Sequence, residues 1–202
     1  MENRYGNYLT ITVLTMLLSV FLLAGCGGGG NNSPGVKMTA TITPTYNGKS
    51  TLSVDSVQTN CTNSTLTKPE YFADHSATAL ISASLIKSSD PVNKMTVFID
   101  SYTVTYQSHA DSPGAPAIQA DTREKTISLL VSGEAPASVE VTVTLVDLIR
   151  KIQYGGVGLN NYTATYTFKG HNENGAQFTF NTQTDFEIGN FNNCPDGFLQ
   201  IN

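Results

Sequence analysis

The sequence predicts an all-β protein, an antiparallel β-sandwich of about eight or nine strands, and three observations carry that prediction. Apolar residues recur with period two, as in Met38, Ala40 and Ile42, and not with the 3.6-residue period of an amphipathic helix. Gly, Pro, Asn and Ser clusters break these runs at about a strand's length. The positions opposite the apolar ones are rich in Thr and Ser, which fits antiparallel sheets with one solvated face.

Of the 202 residues, 11 are Lys or Arg and 16 are Asp or Glu, giving a net charge of −5, and the basic residues are scattered along the chain, with Arg150-Lys151 their one adjacent pair. No basic patch invites nucleic acid.

The first element is an apolar run, Leu9 to Leu23, preceded by Arg4 and closed by small residues, the layout of a secretory signal peptide. It falls short of the ~20 apolar residues that a membrane-spanning helix needs. Its end, Leu23-Ala24-Gly25-Cys26, resembles the lipobox of bacterial lipoproteins at every position. The resemblance implies cleavage before Cys26, thioether attachment of a diacylglycerol to its sulfur, and acylation of the new amino terminus. Two or three acyl chains, at ~0.8 kcal/mol per buried CH₂, hold a protein on the bilayer where one holds it marginally. An Asp directly after the lipidated Cys would retain an enteric lipoprotein in the inner membrane; Gly27 stands there, so the resemblance implies the outer membrane, facing periplasm or cell surface.

Residues 26–36 read as a flexible tether, because Gly27–Gly35 contains nothing that could be buried. Residues 37–202 are then one domain, long enough to bury roughly two-thirds of its surface. With Cys26 assigned to lipid, Cys61 and Cys194 remain in an oxidising compartment; a disulfide between them is the economical reading, and two separate buried thiols the alternative.

Within the domain, Asn47-Gly48 between alternating runs predicts a hairpin with strands near Lys37–Pro44 and Ser50–Gln58, since a type I′ turn needs positive φ at both central residues. Asn60–Ser76 is polar and irregular. Strand character resumes at Thr78–Ile86, breaks at Ser88–Pro91, and returns in the longest run, Lys94–Gln107. There the inward phase switches from Val97 and Ile99 to Tyr102, Val104 and Tyr106, which predicts a β-bulge or a sheet crossing near Asp100-Ser101. After the Ser108–Pro116 loop, Thr126–Val131 and Val139–Val146 read as strands. Leu145–Tyr154 fits either a short helix, with Val146, Ile149 and Ile152 at helical spacing, or a twisted strand end. Tyr162–Lys169 and Ala176–Ile188 make a second hairpin around His171–Gly175. The pattern from Phe98 to Tyr106 resembles the immunoglobulin-like and fibronectin-like modules of bacterial surface lipoproteins, loosely and over about Lys94–Ile188.

No motif carries catalysis. Gly48-Lys49-Ser50 sits in a hairpin turn where a phosphate loop must open a helix, and Gly155-Gly156-Val157-Gly158 reads as a loop outside any strand-turn-helix unit. His75, His109 and His171 read as separate surface histidines in polar loops, at no metal-ligand spacing. Loop carboxylates Asp111, Asp121 and Glu124 could ligate Ca²⁺, although such acids are usually just solvated. Tyr102, Tyr106, Tyr162 and Tyr166 could stack on sugar but are more often core at strand positions. The expectation is a non-enzymatic envelope lipoprotein with no cofactor, anchored to the membrane and bound to an envelope protein partner. A carbohydrate-binding sandwich and a loop-carboxylate hydrolase are the alternatives.

Overall fold

The computed structural model describes residues 35–46, 49–50, 52–56, 61–62, 74–86, 94–133, 135–155, 158–191 and 199–200. The strands are β1 (Val36–Tyr46), β2 (Lys49–Ser50), β3 (Ser53–Asp55), β4 (Cys61–Thr62), β5 (His75–Leu85), β6 (Lys94–Ser108), β7 (Asp121–Ser132), β8 (Ala137–Val146), β9 (Asn160–Asn172), β10 (Gln177–Gly189) and β11 (Leu199–Gln200), with one helix, α1 (Leu148–Tyr154). They form a four-stranded sheet, β2-β1-β5-β8, packed on a five-stranded one, β3-β10-β9-β6-β7, plus a small β11-β4 pair. All ladders are antiparallel except β3 on β10. Lettered in chain order, β1, β5 and β8 take the A, B and E places, and β6, β7, β9 and β10 the C, C′, F and G places, of an immunoglobulin-like sandwich.

The core is built from unequal halves. The four-stranded sheet turns small residues inward, among them Ala77, Ala79 and Ala83, and the five-stranded sheet answers with Tyr102, Tyr166, Phe168 and Phe180, all buried. Large against small lets the layers interdigitate at interior density. Phe168 stacks on Phe180 with centroids 5.0 Å apart. The tyrosines also reach across: Tyr106 donates to Leu145 O (2.5 Å), Tyr166 donates to Thr144 O (2.9 Å), and Tyr102 Oη accepts from Thr144 N (2.9 Å). Groups on the edge of β8 are thereby satisfied from the opposite sheet.

The phase switch in β6 is a β-bulge, with a register shift between Ile99 and Ser101 against both β7 and β9. The second hairpin holds over its whole length, closed by Asn172 Oδ1, which accepts from Asn174 N (3.0 Å) and Ala176 N (2.9 Å).

Three expectations change. The first hairpin pairs Tyr46 with Lys49 around Asn47-Gly48, which lie outside the described residues, but its second strand is not continuous to Gln58. After Ser50 the chain crosses to the other sheet, where β3 buries Val54 and Asp55 beside the end of β10. Leu145–Tyr154 is both strand and helix. Asp147 stops β8 and caps α1, its side chain accepting from Arg150 N, and Gly155 closes the helix at φ 73°, a left-handed conformation that suits glycine. The helix buries Lys151 and Tyr154 and leaves Ile149 and Ile152 64% and 63% exposed, the reverse of their apolar spacing. Finally, His75 is no surface histidine. β5 starts three residues earlier than expected, and pairing with Val146 brings His75 fully inside.

Candidate functional site

The ladders fix which features share an end of the sandwich. Gly35, Leu85, Lys94 and Ser132 stand at one end, where the chain enters β1. Ser108, Asp121, Val146, Asn160 and Gly189 stand at the other, together with α1 and the 109–120 loop. Strands of about a dozen residues, at ~3.3 Å each, separate the two ends by roughly 40 Å.

The far end holds an open depression of about 590 Å³, lined by Gln107, Ser108, His109, Ala110, Asp111, Thr163 and Asp185. Thr163 and Asp185 face each other across β9 and β10. Thr163 Oγ1 donates to Asp185 Oδ1 (2.7 Å) and lies 2.8 Å from His109 Nε2, which is 3.4 Å from the same carboxylate. The loop is held by His109 N on Asn161 O (2.9 Å) and Asn161 N on Ser112 Oγ (2.8 Å). A hydroxyl, an imidazole and a carboxylate suggest a nucleophilic triad, but the geometry differs. Asp185 approaches the same nitrogen that faces Thr163 and not Nδ1, so it does not orient the ring as a base–orienter pair requires. The arrangement can accept donors and cations from a docked surface.

At the same end, two buried aspartates and two partly exposed arginines pin loop to helix. Arg123 Nε donates to Asp121 Oδ2 (2.6 Å) and its Nη2 to Asp147 Oδ2 (3.0 Å). Arg150 Nη1 donates to Asp147 Oδ2 (2.5 Å), Nη2 lies 3.4 Å from Asp121 Oδ1, and Nε and Nη2 donate to the Gln119 and Ala120 carbonyls (2.7 and 2.6 Å). Two positive and two negative charges cancel, and the Asp121 side chain raises the Arg123 pKa. Of the candidate calcium ligands, then, Asp121 is engaged by guanidinium groups, Asp111 by Asn161 and Ser112, and Glu124 lies exposed on β7. No group of three or more His, Cys, Asp or Glu side chains among the described residues could hold a metal ion.

Lys151 is fully buried under α1. Burial pushes its pKa down to about 8, against the opposing pull of Asp55 and Asp74. Below that value the lysine is charged in folded and unfolded chain alike, and the fold bears the whole desolvation cost. Above it the folded lysine is neutral while the unfolded one, with an ordinary value of 10.5, still binds a proton, so stability rises with pH. Burial raises the hydroxyl pKa of Tyr106 and Tyr166, which acts in the opposite sense above the ordinary tyrosine value of 10.0. Between about pH 8 and 10 the expected gain is on the order of 1–2 kcal/mol, read from urea midpoints and absent in Lys151→Met. A flat wild-type profile would contradict it.

The remaining sequence-predicted residues are dispersed. Tyr102, Tyr162 and Tyr166 are buried and Tyr106 packs against the core, so they form no exposed row. His171 lies on β9, 2.9 Å from Asp100 Oδ2 and stacked on Phe98, at the end where the chain enters β1. Cys26 and Cys194 lie outside the described residues, and of Cys61 only the backbone, in β4, is described. No helix of the described residues is long and apolar enough to cross a membrane. The Thr163–Asp185 contact was within reach of the sequence, because the second hairpin's register pairs them; His109 arrives from a distant strand and gave no local signal. Comparison of the chain with protein-family models, curated proteins and solved structures finds no match in any of the three.

Proposed function

We propose that the chain is a lipid-anchored envelope lipoprotein whose sandwich serves as a non-catalytic structural or protein-binding module, held on the outer membrane through Cys26. The observation that carries this reading is the order of parts: lipobox, tether, then a sandwich entered at one end, with helix, loop and polar depression collected at the other. A membrane-held domain of this layout points its irregular, polar end at partners. Crosslinking in intact cells, followed by purification of the lipidated protein, is expected to recover a defined envelope protein; recovery of none would count against the binding role.

The inward tyrosines remove the aromatic platform that favoured carbohydrate, and the arginine-neutralised Asp121 weakens the hydrolase alternative.

The disulfide belongs to the same proposal. β4, which holds Cys61, pairs with β11, with Cys61 opposite Gln200, and Cys194 precedes β11 in the sequence. Closing a loop of this length stabilises by up to ~5 kcal/mol in the chain-entropy model. Non-reducing peptide mapping should recover one peptide holding both cysteines; two freely alkylated thiols in exported protein would rule the bridge out.

A further inference from the structure

We propose that α1 is a latch: it releases from the end of the sandwich as one unit while both sheets stay folded, and the charge of Lys151 drives the release.

A helix on a protein surface ordinarily turns its apolar side chains inward and its charges to water. α1 is docked the other way. It leaves Ile149 and Ile152 in water and takes Lys151 fully out of it, with Tyr154 as its buried ring. Docking therefore desolvates an ammonium group and gains little apolar burial in return. Release returns the ammonium to water and leaves the two isoleucines as they were.

The contacts that hold α1 down are polar and partly wet. Asp74 Oδ1, just ahead of β5, accepts from Leu148 N (2.7 Å), and Arg150 donates to the Gln119 and Ala120 carbonyls (2.7 and 2.6 Å), all at exposed positions. Water replaces contacts of this kind at a modest net cost. The strands beneath are fastened differently, since β9 lies between β6 and β10 and pairs with both along its length. Opening confined to the helix is the consequence. Because Arg150 travels with α1, release also unties the 109–120 loop, whose first residues wall the depression.

The titratable groups about Lys151 are Asp55 at the end of β3, Asp74 beside the buried His75 where β5 begins, and Tyr154 on the same helix. Asp147 and Arg150, earlier in the same segment, are engaged with each other and with Arg123 and Asp121. Burial outweighs the pull of Asp55 and Asp74 and pushes the pKa of the docked lysine down to about 8, from an ordinary 10.5. The released state therefore holds its proton more tightly than the docked one. Between pH 7 and pH 9 the released fraction falls about tenfold.

The test is residue-resolved hydrogen exchange on the full-length protein in detergent, at pH 7 and pH 9, each with and without sub-denaturing urea. The reporters are the Lys151 and Gly155 amides, which donate to Asp147 O and Lys151 O within the helix. Corrected for intrinsic rates, they should exchange at least a hundredfold faster than the Tyr166 and Phe168 amides of β9 and respond only weakly to urea. Their rates should fall about tenfold from pH 7 to pH 9. Lys151→Met should slow them at least tenfold at pH 7 and remove the pH response. Helix amides that exchange at the β9 rate, with the β9 urea dependence, would overturn the separate release. Rates indifferent to pH and to Lys151→Met would overturn the role of the charge, and the wild-type pH comparison decides this without the variant.

Discussion

Gly170→Ala is expected to lower stability by at least about 3 kcal/mol or to prevent folding. Gly170 lies in β9 opposite Ile99, where the β6 bulge brings the two backbones together. A Cβ there would lie 2.1 Å from Phe98 O, 2.8 Å from Phe178 Cζ and 3.1 Å from the Ile99 Cα. Two of these are backbone atoms between central strands, so relief requires opening the β6–β9 ladder, which costs more than ordinary overpacking of a core. Gly175→Ala is the control: its φ is 79° but its Cβ would meet open space, so only the torsional cost of about 1–2 kcal/mol applies. Denaturant midpoints of the two variants measure the difference, and a wild-type midpoint for Gly170→Ala would mean that the strands do not approach this closely.

Asp147→Ala should cost about 2–4 kcal/mol, because it leaves two arginines facing the single carboxylate of Asp121 and removes the cap of α1. The loss falls on several contacts at once. Asp147 caps α1 through Arg150 N (2.9 Å), receives Arg150 Nη1 and Arg123 Nη2 on Oδ2, and is itself buried. Arg123 is 42% exposed, so its share is screened and Arg150 dominates. Asp147→Asn keeps the cap acceptor and removes the charge, and should fall between wild type and alanine. A double-mutant cycle with Arg150→Met should give a coupling of at least ~1 kcal/mol; additive losses would show that the cluster does not act as a unit.

Much of this fold was legible because it is written in local alternation. Period-two runs locate the long strands, and the parity change between Ile99 and Tyr102 locates the bulge beside Gly170. What escaped was non-local. The crossing after Ser50 depends on β10 offering Val54 a place, and nothing near Leu52 signals it. The face of the helix is not legible in the sequence, because Ile149 and Ile152 stand at apolar spacing while the buried residue is Lys151, which feels the charge of Asp55 nearly a hundred positions away. The arginine–aspartate quartet likewise joins β7 to α1, and its members look like ordinary surface charges until the chain is folded.

Mass spectrometry of the amino-terminal peptide of protein purified from membranes decides whether the proposed envelope module is held by lipid. The expected result is a mature chain beginning at Cys26 and carrying a diacylglyceryl thioether, with Cys26→Ser losing both the lipid and palmitate labelling. A chain retaining residues 1–25, or an unmodified Cys26 thiol, would contradict it.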